Sequence, residues 1–144
     1  MTKEIAEIRT GSCLCGAVAF EVRGAMRPVI ACHCRQCQKT SGHFVAATAC
    51  LADQLTLTNE TGLRWFQSSP EAQRGFCGEC GGNLFYRRLD RDQVSIMTGM
   101  LDHPTGLDLA EHIFVADKSD YYEIGDGRLQ YASDTPDRSA RRKA

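Results

Sequence analysis

Cys32-His33-Cys34-Arg35-Gln36-Cys37 packs three thiols into six residues. In an extended strand Cys32 and Cys34 share one face and His33 points to the other. The turn from Cys34 to Cys37 brings a third sulfur round, so one metal ion is able to take all three. By the same alternation His33 is expected outside the ligand set, in a supporting or surface role.

Two further clusters flank this one. Upstream stands Ser12-Cys13-Leu14-Cys15-Gly16, and downstream Phe76-Cys77-Gly78-Glu79-Cys80-Gly81-Gly82. Seven of the eight cysteines therefore fall at metal-ligand spacing, and all-sulfur tetrahedral sites usually hold zinc. The downstream run reads as a zinc knuckle, whose glycines admit positive φ and let backbone N–H groups approach the sulfurs. Spacing leaves the pairing open. Cys34 and Cys37 with Cys77 and Cys80 would make a conventional zinc ribbon and leave Cys13, Cys15 and Cys32 over.

Around the clusters the chain reads as strands. Ala17–Val22, Val29–Ala31, Phe44–Cys50, Leu55–Thr58, Leu63–Phe66, Asn83–Arg87, Val94–Met97 and His112–Val115 are short, apolar and bounded by turn residues. Asn59-Glu60-Thr61-Gly62 looks like the turn of a hairpin joining Leu55–Thr58 to Leu63–Phe66. Only Arg35–Ser41 and Ser119–Tyr122 have room for a helical turn. The fold class is therefore mainly β.

The chain has 144 residues, 42% hydrophobic and 24% charged, and this size suggests one domain. A net charge of −1 gives no general pull toward nucleic acid or an anionic membrane. The longest apolar run, Phe44–Leu51, is too short to cross a bilayer. Met1–Glu7 lacks the apolar stretch of a signal peptide, so the cytosol is the expected compartment. Thiols stay reduced there, which favours metal over disulfides. Residues 1–10 read as an extension and residues 133–144 as a polar, basic tail carrying Arg138, Arg141, Arg142 and Lys143. Cys50 reads as a buried thiol acting as a small hydrophobe, and His43, His103 and His112 as structural.

The segments Gly11-Ser12-Cys13-Leu14-Cys15-Gly16-Ala17-Val18, Cys32 through Gly42, Phe76 through Gly81, and His112-Ile113-Phe114-Val115 followed by Asp117–Tyr122 together resemble the glutathione-dependent formaldehyde-activating enzyme family, also called the centromere protein V family. The resemblance runs from about Gly11 to Gln130 and implies a zinc domain over residues 11–132. It implies several coiled antiparallel sheets around two zinc sites, a fold shared with a Rab exchange-factor-type (Mss-four-like) zinc protein. It also implies a pairing. Cys13, Cys15, Cys77 and Cys80 would hold a structural zinc; Cys32, Cys34 and Cys37 would hold a catalytic zinc with its fourth position open.

The activity so implied is that of a carbon–sulfur lyase condensing formaldehyde with glutathione to S-hydroxymethylglutathione. Zinc bound by three thiolates is a modest Lewis acid, suited to holding a substrate thiolate. Glutathione would be the small-molecule partner. Arg35 and Lys39 are candidate anchors for its carboxylates, with Arg64 and Arg74 further candidates. The rival of a different class is a non-catalytic, zinc-stabilised binding module. A B-type methionine sulfoxide reductase would need two C-x-x-C pairs. Here the first pair is C-x-C, and Cys50 has no supporting motif.

Overall fold

The computed structural model describes residues 7–136; the segments 1–6 and 137–144, including the four basic residues of the tail, lie outside the described residues. The chain gathers into two compact units, each built from two stretches: residues up to Arg27 with Thr48–Gly106, and Pro28–Ala47 with the residues from Leu107 onward.

The first unit begins with β1 (Ile8–Ser12), β2 (Ala19–Arg23) and β5 (Leu55–Asn59), an antiparallel three-stranded sheet with β2 in the middle. The rest is an antiparallel meander of β6 (Leu63–Ser69), β7 (Ala72–Cys77), β8 (Asn83–Arg88) and β9 (Gln93–Met97). Phe20, Val22, Leu84, Phe85 and Ile96 are buried. Phe20 meets Phe85 edge to face, with centroids 5.4 Å apart, a geometry worth about 0.5–1.5 kcal/mol beyond burial.

Residues 59–62 do form a turn: the Thr61 N–H donates to Asn59 Oδ1 and the Leu63 N–H to the Glu60 carbonyl. The expected hairpin does not follow, because the strands part. Leu57 pairs with Phe20 on β2, and Leu63 pairs with Cys77 on β7. β1 and β7 have no counterpart in the strand reading. Ile8-Arg9-Thr10-Gly11-Ser12 and Ala72-Gln73-Arg74-Gly75-Phe76-Cys77 have few β-branched residues, and ladder bonds to β2, and to β6 and β8, hold them extended.

The second unit contains β3 (Val29–Cys32), α1 (Arg35–Ser41), β10 (Leu109–Ile113), β11 (Leu129–Gln130) and the start of β4 (Val45–Leu51), which continues into the first unit. β3 pairs with β4 antiparallel, as expected, but the β3–β10 and β10–β11 pairings are parallel. α1 spans the predicted residues, opens with Cys34 as N-cap and closes at Gly42, whose φ of 87° suits glycine. The second helical expectation, Ser119–Tyr122, is not met; a single 3-10 turn stands earlier, at Val115–Asp117. The beginning of the polar tail is docked. The Phe114 N–H donates to the Ser133 carbonyl, and buried Thr135 donates its hydroxyl to Glu111. No helix among the described residues is long and apolar enough to cross a membrane.

Candidate metal centres

Two groups of described residues bring three or more metal-ligating atoms within 4.8 Å of one another: Cys13, Cys15, Cys77 and Cys80 in the first unit, and Cys32, Cys34 and Cys37 in the second. The ribbon pairing of Cys34 and Cys37 with Cys77 and Cys80 is not among them.

The four-sulfur group is made by two tight turns. Cys13-Leu14-Cys15-Gly16 leaves β1, with Gly16 at φ 82° and the Gly16 N–H donating to the Cys13 carbonyl. Cys77 ends β7, and the Gly81 N–H returns to its carbonyl with Gly81 at φ 81°. Backbone N–H groups converge on the sulfurs: Val18 on Cys13 at 3.3 Å, and Glu79 and Cys80 on Cys77 at 3.3 and 3.4 Å. N–H groups of Cys15 and Gly82 hold the Cys80 thiol down at about 6. Cys13 Sγ–Cys15 Sγ and Cys15 Sγ–Cys77 Sγ are each 3.7 Å. A tetrahedral zinc with sulfur bonds of about 2.3 Å has edges of roughly 3.8 Å, so the donor set fits zinc.

The three-sulfur group straddles the end of β3 and the start of α1. Cys34 Sγ caps the helix by accepting from the Cys37 N–H at 3.3 Å, and it lies 3.2 Å from Cys37 Sγ. The sulfurs of Cys34 and Cys37, and then burial, hold the Cys32 thiol far above its ordinary value. Three thiolates this close repel one another, so the set ionises fully only around a cation. This too fits a divalent metal.

His33 turns away from the sulfurs, as strand alternation requires, but it is not on the surface: it is fully buried. Its Nε2 lies 2.9 Å from His112 Nδ1, its Nδ1 meets the Tyr122 hydroxyl, and His112 Nε2 lies 2.7 Å from Asp126 Oδ2. With both rings neutral, Asp126 accepts from His112 Nε2–H, His112 Nδ1 accepts from His33 Nε2–H, and His33 Nδ1 accepts from the Tyr122 hydroxyl. Burial, and then the neighbouring His112, lowers His33 to about 4, which suits a neutral ring. The Gln38 side chain, donating to the carbonyls of His33 and Asp117, ties α1 to the same segment.

Sequence reasoning did not find this chain. Asp126 has no motif, and His112, read as structural, has no spacing signal that pairs it with His33. His43, half-buried, meets the Tyr121 hydroxyl, whereas His103 is exposed. Lys118 was also missed: it donates to the Ser119 and Tyr122 carbonyls and stands over the Tyr122 ring.

Arg35 and Lys39 are both exposed on α1, one turn apart, either side of buried Cys37, and Arg35 donates to the Gln38 side chain. Arg64 belongs to the first unit, with its stem against Gly78 beside the four-sulfur group. Arg74 is buried, its guanidinium over the Tyr86 ring at 4.8 Å. Cys50 is buried too, and burial, with a smaller push from Asp53, raises its thiol to about 11.

No curated protein matches this sequence. A solved structure of a Rhodobacter sphaeroides protein is similar in fold, with a TM-score of 0.56 at 18% identity, over 85% of this chain and 98% of that one. The family model described as glutathione-dependent formaldehyde-activating enzyme matches residues 8–117, which include all seven clustered cysteines. The chain belongs to the glutathione-dependent formaldehyde-activating enzyme family.

Proposed function

We propose that this protein is a two-zinc enzyme that makes or breaks a carbon–sulfur bond on a thiol adduct, with glutathione as the thiol and formaldehyde as the carbonyl partner. One observation carries the reading: the second cysteine group offers three sulfurs and, among the described residues, no fourth cysteine, histidine or carboxylate within the same reach. A four-ligand set is closed, whereas a three-ligand set leaves a position for substrate.

In this reading Cys13, Cys15, Cys77 and Cys80 hold a structural zinc, and Cys32, Cys34 and Cys37 hold the catalytic one. The catalytic zinc supplies a positive charge that keeps a substrate thiol ionised at neutral pH. The reaction joins the thiol sulfur to the carbonyl carbon, while the carbonyl oxygen takes up a proton to become the hydroxyl. Arg35 and Lys39, one turn apart on the helix that carries Cys37, bind the glutathione carboxylates. His33 and Gln38 anchor the segment that carries the three sulfurs.

Calorimetric titration of the zinc-loaded protein tests this. Glutathione should bind and S-methylglutathione should bind at least tenfold more weakly. Arg35→Ala or Lys39→Ala should weaken glutathione roughly tenfold, about 1.4 kcal/mol, with zinc retained. Equal binding of the two thiol compounds, or binding of neither at millimolar concentration, overturns the assignment and favours a binding module.

A further inference from the structure

The first unit contains a cavity of about 350 Å³ that includes neither cysteine group. It lies where β5, β6, β8 and β9 approach, and its walls include Leu55, Leu57, Trp65 and Leu89. Phe85 backs Trp65, with ring centroids 6.1 Å apart and near-parallel planes. Three guanidiniums stand among the lining residues, and no carboxylate does. Arg87 is fixed: it lies 3.8 Å over the Trp65 ring, and its Nε and Nη2 both donate to Gln73 Oε1. Those partners are neutral, so they position its charge without cancelling it. Arg88 and Arg91 share a single acid, Asp90, at 3.0 and 3.9 Å. Three guanidiniums thus line an apolar cavity with no carboxylate in its lining; Asp90 pairs with two of them and Glu71 acts on Arg88 from outside the lining.

We propose that this cavity binds a small organic anion, a carboxylate on an apolar body of about ten carbon atoms. The volume is at the small end of the range for ligand sites, which are mostly apolar with a few oriented polar groups. The apolar body would lie against the leucines and the edge of Trp65. The carboxylate would accept hydrogen bonds from Arg87 and Arg91, because guanidinium geometry matches a carboxylate. A neutral molecule of the same shape would gain less from those guanidiniums, and a cationic one nothing. The proposal stands apart from the zinc-site reading and shares no residue with it.

Trp65 is the only tryptophan in the chain, so its emission reports on this cavity directly. The probe is octanoate, with octanamide as its uncharged counterpart, titrated into zinc-loaded protein. Octanoate should change the emission saturably, with a Kd of about 1 mM or below. Octanamide should bind at least tenfold more weakly. Arg91→Gln, which leaves the Arg87–Trp65 contact alone, should weaken octanoate about tenfold, and raised salt should act in the same direction. Cys37→Ser should leave octanoate binding unchanged, which separates this site from the glutathione assignment. No saturable change up to about 20 mM octanoate, equal binding of octanamide, or an unaltered Kd in Arg91→Gln overturns the proposal.

Discussion

His33 Nε2 and His112 Nδ1 lie 2.9 Å apart, across 79 residues of sequence. The contact couples β10 to the backbone between two clustered cysteines. The parallel β3–β10 ladder pairs Cys32 with Ile113, and the His33 N–H donates to the Ile113 carbonyl. The side-chain chain is thus a second tie on a segment the ladder already aligns.

Removing one member of the chain should strand the next. His112→Phe leaves His33 Nε2–H buried without an acceptor, and an unsatisfied buried polar group costs about 1–3 kcal/mol. Tyr122→Phe removes the donor to His33 Nδ1 and should cost about 1 kcal/mol, because Tyr122 is only half-buried. Asp126→Asn should cost less than either, since the amide oxygen can still accept from His112. Urea melts with zinc present rank the three. A ranking with Asp126→Asn worst would refute the proton assignment.

Gly62 is the tightest glycine beside the four-sulfur group. A Cβ there would stand 2.9 Å from Cys77 Sγ and 2.8 Å from Ala17 Cβ. The backbone has no room to give way, because the Gly62 N–H donates to the Ala17 carbonyl and its carbonyl accepts from the Gly78 N–H at 2.7 Å. Gly62→Ala should therefore cost about 1–3 kcal/mol and make zinc easier for a chelator to remove. Gly78→Ala presses on the flexible side chain of Arg64, with the Gly62 carbonyl oxygen at an ordinary 3.5 Å, and should cost less than about 1 kcal/mol. Thermal melts of the two variants give the comparison. Equal costs would mean that Gly62 is not packed on the sulfur as described.

The cysteine clusters and α1 were legible because their signals are local. Cys34 caps a helix that begins one residue later, and Gly42 ends it. The mainly β class was legible from short runs such as Ala17–Val22 and Phe44–Cys50. Pairing was not. Residues 59–62 have turn chemistry, yet the strands on either side find different partners, a choice set by Phe20 and Cys77 far along the chain. The histidine chain was invisible for the same reason: two separate contacts join His33, His112 and Asp126, and neither leaves a spacing pattern. Arg74, a candidate carboxylate anchor by its charge alone, is buried with its guanidinium over the Tyr86 ring, which no local pattern signals.

Cys50, the one cysteine outside the two groups, should be unreactive in the folded protein. It is buried, and its thiol is raised to about 11, so at pH 8 only about one molecule in a thousand carries the thiolate even if reagent could enter. Iodoacetamide applied to folded, zinc-loaded protein should leave Cys50 unmodified, and denaturation should expose it. Peptide mass mapping reads the result. Labelling of Cys50 within minutes under native conditions would contradict its burial.

The two cysteine groups should fail differently when one sulfur is lost. Cys80 belongs to a set that joins the end of β1 to the end of β7, so metal bound there closes a loop of more than sixty residues. Its binding free energy is folding free energy for the first unit. Cys80→Ser should lower stability by more than about 3 kcal/mol, roughly 10 °C in Tm for a chain of this size. Cys37 belongs to a set contained within Cys32–Cys37, where backbone ladders and the α1 cap already hold the segment. Cys37→Ser should cost less than about 2 kcal/mol, because the loop its metal closes is short. It should still lose the second zinc and glutathione binding. Elemental analysis should find two zinc ions per wild-type chain and one in Cys37→Ser, with melts run on the same samples. If both variants lose both metals and melt together, the separation into a structural and a catalytic zinc is wrong, and the two groups form one cooperative metal core.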